Sequence, residues 1–325
     1  MKTQDVLNGW GAILMGRKPV LSIEITRECP LRCPGCYAYE ENHISSGVDL
    51  RQLLDKKGES LVQGVLELVD RYRPLHLSIV GGDPLVRFRE LSVLLPLLEQ
   101  RGIHIQIVTS AFREIPKEWA SVRRLNVVVS IDGLQPEHDA RRKPATYARI
   151  LKNISGHRVT AHCTITAYMM QRPGYLEEFL QFWSPRQEIS RVWMSIFTPQ
   201  KGASSPEILS PRQRVQAVEE LLVLRAQYPK LDMPEGLIKE YLRPPSSPAE
   251  CIFAQTTHTI SADLKSQVVP CQFGGQPDCS QCGCMASMGL AAIGHHKVGM
   301  GITGGQLFKA SVRIGQLIKS LERHA

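Results

Sequence analysis

The stretch ITRECPLRCPGCYAYEENH (25–43) carries three thiols, Cys29, Cys33 and Cys36, spaced C-x3-C-x2-C. Pro30, Pro34 and Gly35 lie among them. These residues break any regular face on which thiols would be buried. The loop therefore reads as a ligand set. A closed structural zinc site takes four ligands, whereas three thiolates suit a metal cluster with one open position. A [4Fe–4S] cluster held in this way leaves one iron free for a non-protein ligand. The competing reading is three unrelated cysteines behaving as small apolar side chains.

A second group lies near the other end: Cys251, Cys271, Cys279, Cys282 and Cys284. THTISADLKSQVVP, between the first two, alternates like a hairpin. The last three are packed as C-x2-C-x-C. Zinc in a tetrahedral structural site and an iron–sulfur cluster both satisfy this spacing. Cys163, inside the strand-like HCTIT, reads as a small core residue. His295 and His296 sit in a glycine-rich segment and read as exposed.

The elements that position these residues follow from periodicity. Strands are expected over 19–26, 75–80, 103–109, 125–132, 158–166 and 190–198. Helices are expected over 50–72, 88–102, 114–122, 146–154, 174–183 and 210–228, the last with Ser210 as N-cap and Pro211 in its first turn. Six β/α units in series imply parallel strands with right-handed crossovers. The expected fold class is α/β, and the pattern leaves two architectures open: an open doubly wound sheet, or a partial (β/α)6 TIM-like barrel with a small C-terminal cysteine-rich extension. Loops after the strand ends build the site in such folds. The cysteine loop, Gly81–Gly82, Thr109 and Ser130–Asp132 all fall there. The rhythm stops near residue 230, and PPSSPAE (244–250) is a break. The expected segments are a lead-in (1–18), a core (19–235) and a cysteine-rich region with a terminal helix (236–325).

The chain has 325 residues, 43% hydrophobic and 22% charged, as in ordinary globular proteins. No apolar run has membrane-spanning length, and the N-terminus lacks a secretory layout. Cytoplasmic residence is expected, and there thiols stay reduced, so nine cysteines point to metal or redox chemistry rather than disulfides. The net charge of +8 and pI near 9.1 favour anionic partners. The terminal helix carries Leu307, Val312, Ile314, Leu317, Ile318 and Leu321 near one face, with Lys309, Arg313, Lys319 and Arg323 elsewhere. That pattern suits peripheral membrane contact or packing onto the barrel.

The C-x3-C-x2-C loop after the first strand of a β/α series resembles the signature of the radical S-adenosylmethionine superfamily. The resemblance implies that Cys29, Cys33 and Cys36 hold a [4Fe–4S] cluster whose open iron is chelated by S-adenosylmethionine. It also implies reductive cleavage of S-adenosylmethionine to a 5′-deoxyadenosyl radical that takes hydrogen from a substrate. GGDPL (81–85) resembles the family's GGEP motif, which implies contact of Gly81, Gly82 and Asp83 with the methionyl amino group. Thr109 stands where the family often reads TNG. VVVSIDGLQPEHDARR (127–142) resembles a segment of the branch with a SPASM or twitch extension. By that likeness Ser130 contacts the ribose and Arg142 the carboxylate, while Tyr37 lies against the adenine. Residues 251–284 follow the order of such an extension. This implies an auxiliary [4Fe–4S] cluster, most simply on Cys251, Cys271, Cys279 and Cys282, with Cys284 as a substitute.

The implied partners are S-adenosylmethionine, a reducing donor such as flavodoxin or ferredoxin, and a peptide or protein substrate. A lipid or isoprenoid is the runner-up substrate, and no nucleic acid is expected. The rival class is a non-catalytic zinc and nucleic-acid-binding protein.

Overall fold

The computed structural model describes residues 3–40, 43–44, 48–144, 147–299 and 301–322. Glu41, Asn42, Ala145, Thr146, Met300 and Arg323, within stretches discussed above, lie outside the described residues.

Seven strands form one sheet: β1 (Val20–Glu24), β2 (His76–Val80), β3 (His104–Thr109), β4 (Leu125–Ser130), β5 (Val159–Ile165), β6 (Ile189–Ile196) and β7 (Thr257–Ile260). Their order is β6-β5-β4-β3-β2-β1-β7. Every neighbouring pair is parallel. The sheet does not close, so the molecule is an α/β partial barrel. Six strands are those of the expected series. The seventh comes from the cysteine-rich segment and lies beside β1. After Ile260 the chain turns back through Ser261–Ser266, and Val268 N–H donates to the Thr259 carbonyl. The alternation of THTISADLKSQVVP thus serves a parallel strand and a short antiparallel return at once.

Helices α1 (Thr3–Leu14), α2 (Gly58–Tyr72), α3 (Phe88–Gln100), α4 (Gln135–Arg141), α5 (Tyr147–Asn153) and α6 (Tyr175–Trp183) come first in chain order. They are followed by α7 (Pro211–Gln227), α8 (Glu235–Glu240), α9 (Ile252–Thr256), α10 (Met285–His295) and α11 (Gly304–Glu322). The helix expected over 50–72 is divided. Asp49 caps a 3-10 turn at Leu50–Gln52, and α2 begins only at Gly58. The helix expected over 114–122 is a 3-10 turn at Lys117–Ser121. Ser210 caps α7 in a complete capping box with Gln213.

Alternate strand residues face the helices. Leu21, Ile23, Leu77, Ile79, Ile105, Ile107, Val127 and Val129 share one buried core with Leu61 and Val65 of α2 and Leu91 and Leu94 of α3. The period of two therefore puts Ser22, Glu24, Ser78, Ser130 and His162 on the opposite, concave face. Cys163 is fully buried in the core, as its strand setting implies.

Helix α11 docks on α1. Trp10 Nε1 donates to Ser311 Oγ at 3.0 Å, and Phe308, Ser311 and Gly315 face inward. The apolar residues of α11 do not form one buried face. Leu307, Ile314, Leu317 and Leu321 are exposed, the last by 71%. Among the described residues no helix is long and apolar enough to cross a membrane.

Candidate functional site at the strand ends

The cysteine loop leaves β1 at Glu24 and is pinned by side chains on either side. Thr26 Oγ1 donates to Asp55 at 2.7 Å and accepts from Glu28 N–H at 3.1 Å. Asp55 also binds Arg87 at 2.8 Å, and Arg87 reaches Glu28 at 3.0 Å. Hydrogen bonds from Arg87 and Lys57 hold the Glu28 carboxyl down to about 2. Tyr39 O–H donates to the Arg27 carbonyl at 2.9 Å, and Arg32 N–H donates to the Lys143 carbonyl at 2.5 Å. The loop is thereby tied to the segment after α4.

All three thiols are partly exposed. Burial pushes the Cys29 thiol up to about 12, with the Asp83 charge adding to it. Burial also raises Cys36, followed by the charge of Cys33. Thiols raised in this way become thiolates when a cation binds them, since a coordinating metal deprotonates a thiol outright. Three thiols on one short loop, close enough that the charges of Cys33 and Cys36 act on Cys29, fit the donor set of an iron–sulfur cluster.

The glycine turn after β2 presses on this loop. Gly81 and Gly82 have φ of +80° and +50°. A Cβ at Gly81 would collide with Glu24, and one at Gly82 would meet the carbonyls of Thr26 and Glu28. Both positions need glycine for conformation and for clearance. Asp83 does not extend toward the concave face. Its carboxylate accepts from Thr109 Oγ1 at 2.6 Å, Leu85 N–H at 3.0 Å, and Ser110 N–H and Oγ at 2.8 and 2.5 Å. Asp83 therefore ties the β2 turn to the end of β3, and the Thr109 hydroxyl is spent on that tie.

At the end of β4, Ser130 is buried and lies in register with His162 of β5. Asp132, two residues on, is fully buried and binds Arg141, Arg142 (2.8 Å) and Thr164 N–H (2.9 Å). Burial alone would raise its pKa, but the two guanidinium groups hold it well below the usual carboxylate range. Arg141 continues to Glu207 at 2.6 Å. Arg142 is close enough to the Cys33 thiol to feel its charge. The structure thus brings Arg142, the glycine turn and the three thiols to the same rim. The motif reading missed Arg141 and Glu207, since their partners are distant in sequence.

Tyr37 packs against the segment that follows Cys271. Its ring lies edge-on to Phe273 at 5.2 Å and tilted to His43 at 5.7 Å. His43 in turn bridges Glu24 Oε1 at 2.5 Å and the Phe273 carbonyl at 3.0 Å, and Glu24 Oε2 accepts from Ser261 Oγ at 2.5 Å. His43 and Glu24 are essentially unexposed. Burial alone would lower the His43 pKa, but the Glu24 hydrogen bond and charge raise it above 6.5. Both residues were visible in sequence, yet only the fold pairs them.

The second cysteine group forms one cavity. Cys251, Cys271, Cys279, Cys282 and Cys284 all line it, with Phe273 and Ser287. Ser287 Oγ lies 3.1 Å from Cys251 Sγ, and Gln272 Nε2 lies 3.6 Å from Cys284 Sγ. Burial raises Cys271 to about 12 and Cys282 to about 11. Arg214 of α7 clamps the loop, donating to the carbonyls of Gln281 (2.6 Å), Cys282 (3.1 Å) and Tyr241 (3.0 Å). Gly283 accepts from Ile196 N–H at 3.0 Å and donates to Thr198 Oγ1 at 2.8 Å, extending the end of β6. Among the described residues no three His, Cys, Asp or Glu side chains converge on a single-ion site. Five thiols ringing one cavity fit a polynuclear group.

Residues 23–174 match the family model described as "Radical SAM superfamily". A curated relative, 7-carboxy-7-deazaguanine synthase of Hyperthermus butylicus, is 29% identical over 102 residues, 31% of this chain and 39% of its own. The chain thus spans about two fifths of that relative. Among solved structures, Streptococcus suis SuiB bound to precursor peptide SuiA superposes with a TM-score of 0.58 at 14% identity, over 88% of this chain and 67% of that one. Native anSMEcpe with bound AdoMet and Kp18Cys peptide gives 0.56 at 15% identity, over 90% and 84%. At these identities the two structures show likeness of fold.

Proposed function

With residues 23–174 a radical SAM domain, we propose that the protein is an S-adenosylmethionine-dependent radical enzyme acting on a peptide or protein side chain. The observation that carries this reading is the meeting of four sequence-distant parts at one rim: the C-x3-C-x2-C loop, the glycine turn, Ser130 and Arg142. Cys29, Cys33 and Cys36 hold a [4Fe–4S] cluster. When bound, the cluster and S-adenosylmethionine supply the 5′-deoxyadenosyl radical that takes hydrogen from the substrate. The chain's own residues orient and shield. Gly81 and Gly82 bring backbone against the cysteine loop, Asp83 fixes that turn, and Ser130 offers a hydroxyl to the ribose. Arg142 is the cation for the carboxylate, held in place by Asp132. Tyr37 serves the C-terminal side of the loop through Phe273, and an adenine contact draws no support from its position.

Cys251, Cys271, Cys279 and Cys282, with Cys284 as the fifth thiol, hold an auxiliary cluster, and Arg214 positions their loop. The peptide substrate is favoured by the two peptide-bound neighbours of like fold. A lipid substrate with peripheral membrane contact is the second reading, favoured by the exposed Leu307, Ile314, Leu317 and Leu321 of α11. The name of the curated relative adds a small heterocycle to the candidates for assay. The reading places the enzyme in the cytoplasm with a flavodoxin- or ferredoxin-type donor.

The test is anaerobic reconstitution followed by metal analysis and a nucleoside assay. Iron and sulfide in roughly equal amounts are expected, together with 5′-deoxyadenosine on reduction. Cys29→Ala, Cys33→Ala and Cys36→Ala are each expected to abolish the nucleoside while the fold survives. Zinc in place of iron, or nucleoside formation undiminished in any of the three, overturns the reading.

A further inference from the structure

Neighbouring strands of the sheet are parallel throughout, so the starts of β1 to β6 lie along one edge, at the end of the molecule opposite the thiol rim. Each start follows an arginine by at most three residues: Arg17 before β1, Arg73 before β2, Arg101 before β3, Arg124 before β4, Arg158 before β5 and Arg186 before β6. Within the connections that lead into these six strands, Glu188 is the single acidic residue. Five of the arginines are exposed. Arg186 is half-buried, its guanidinium held over the Phe182 ring at 4.3 Å. Among the described residues Arg17, Arg73, Arg124 and Arg158 form no ion pair. Arg101 meets Asp70 at 3.5 Å, in an exposed pair of the kind that adds little to stability.

The linear charge pattern gives no reason to expect nucleic acid, because these arginines are spread over residues 17–186. The fold gathers them. At roughly 4.8 Å between neighbouring strands, six starts span an arc of about 24 Å. A nucleic-acid duplex of that length presents roughly 14 phosphates. Arginine rather than lysine at every start suits phosphate, which a guanidinium grips through two parallel N–H donors. Arg73 adds a separate observation. It closes α2 in the left-handed conformation, at φ +47°, where glycine is the usual residue, so the cation stands there against the backbone preference. The connections leading into β2 to β6 expose no large apolar side chain among the described residues. That favours a phosphate backbone over a lipid surface, which takes up apolar residues.

We propose that this edge of the sheet is a docking face for the phosphate backbone of a nucleic-acid duplex, gripped without reading of the bases. The face lies at the far end of the strands from the thiols, so docking there leaves the rim free. The proposal stands independently of the radical chemistry assigned to that rim.

The experiment follows the fluorescence anisotropy of a labelled RNA duplex and, separately, a DNA duplex, titrated with the reconstituted full-length protein. Each duplex has about 20 base pairs, longer than the arc, and KCl is varied between about 50 and 200 mM. The face variant is Arg17→Gln/Arg73→Gln/Arg158→Gln. The control removes the same charge, as Arg149→Gln/Arg212→Gln/Lys265→Gln, at three exposed positions outside the six connections. Wild type should bind at least one duplex, with the logarithm of affinity falling linearly with the logarithm of salt. The face variant should bind at least about tenfold more weakly, with a salt slope shallower by about 3, and the control should stay within about twofold of wild type. Arg73→Gly should weaken binding without lowering the melting temperature, because glycine fits the left-handed position. No duplex binding by wild type, salt-independent affinity, equal losses in face and control variants, or unchanged binding by Arg73→Gly overturns the proposal. So does binding to phosphatidylglycerol vesicles that the face variant loses while it keeps its affinity for the duplex.

Discussion

Replacing Glu24 tests whether the buried Glu24–His43 pair is an ion pair or only a packed contact. Glu24 is 1% and His43 0% exposed in their side chains, at 2.5 Å. Glu24→Ala leaves His43 Nε2 and Ser261 Oγ without their acceptor. Removing one partner of a buried pair costs about 3–5 kcal/mol. Glu24→Gln has the same shape. Its amide oxygen accepts from Ser261 and its N–H faces a neutral His43, whose other N–H still reaches the Phe273 carbonyl. Only charge assistance is lost, about 1–2 kcal/mol. At roughly 2 °C per kcal/mol for a chain of this size, the melting shifts are about 6–10 °C and about 2–4 °C.

The pH dependence separates the two further. The His43 pKa is raised above 6.5 in the folded protein. Its contribution is therefore complete below about 6.5 and is lost as pH rises through the raised value. The gap between wild type and Glu24→Gln should shrink from pH 6 to pH 9. Urea denaturation followed by tryptophan fluorescence at pH 6, 7.5 and 9 measures both effects. Equal losses in the Ala and Gln variants, or a gap that does not change with pH, would refute the ion-pair argument.

Two further outcomes are expected. Ser130→Ala should weaken S-adenosylmethionine binding several-fold, the scale of one neutral hydrogen bond of about 1 kcal/mol. Titration of the cofactor against the reconstituted variant checks this, and a lowered melting temperature with unchanged affinity would make Ser130 merely a strand-end cap. Arg214→Met keeps the length and apolar stem but strips three carbonyls of their donor. Its iron content should fall by about four per chain relative to wild type, and an unchanged iron-to-protein ratio would remove Arg214 as the clamp of the cysteine-rich loop.

The parallel series was legible because period-two apolar strands alternate with helical patterns, and each strand end carried glycine, hydroxyl or thiol residues. Boundaries failed where a local side chain overrode propensity. Asp49 captured the N–H groups of Arg51 and Gln52, dividing a run that reads as one helix. Helix α1 went unread because its apolar face meets partners far away in the chain, as Trp10 does at Ser311, and α4 because its seven residues, QPEHDAR, carry no apolar periodicity. The cysteines and the glycine turn were readable as types at fixed spacing. Asp83 was readable as a type but not as a role: its carboxylate turns inward only because Thr109 and Ser110 end the neighbouring strand. His43 and Glu24 were indistinguishable from ordinary loop and strand residues until β7 brought Ser261 beside them.

That arrangement makes the two thiol groups mechanically dependent. Cys36 is followed directly by Tyr37, whose ring meets Phe273, and Phe273 lines the cavity of the five cysteines. Glu24 sits under Gly81 and holds His43 and Ser261 together. A Cβ at Gly274 would collide with His43, so the segment after Cys271 lies directly against the end of the first cysteine loop. A displacement of residues 271–274 therefore moves Tyr37 and His43, and through Glu24 it moves the glycine turn. Close-packed interiors transmit such shifts because few voids exist to absorb them. The C-terminal cysteines thus bear on the geometry of the first loop whether or not any electron passes between the two groups.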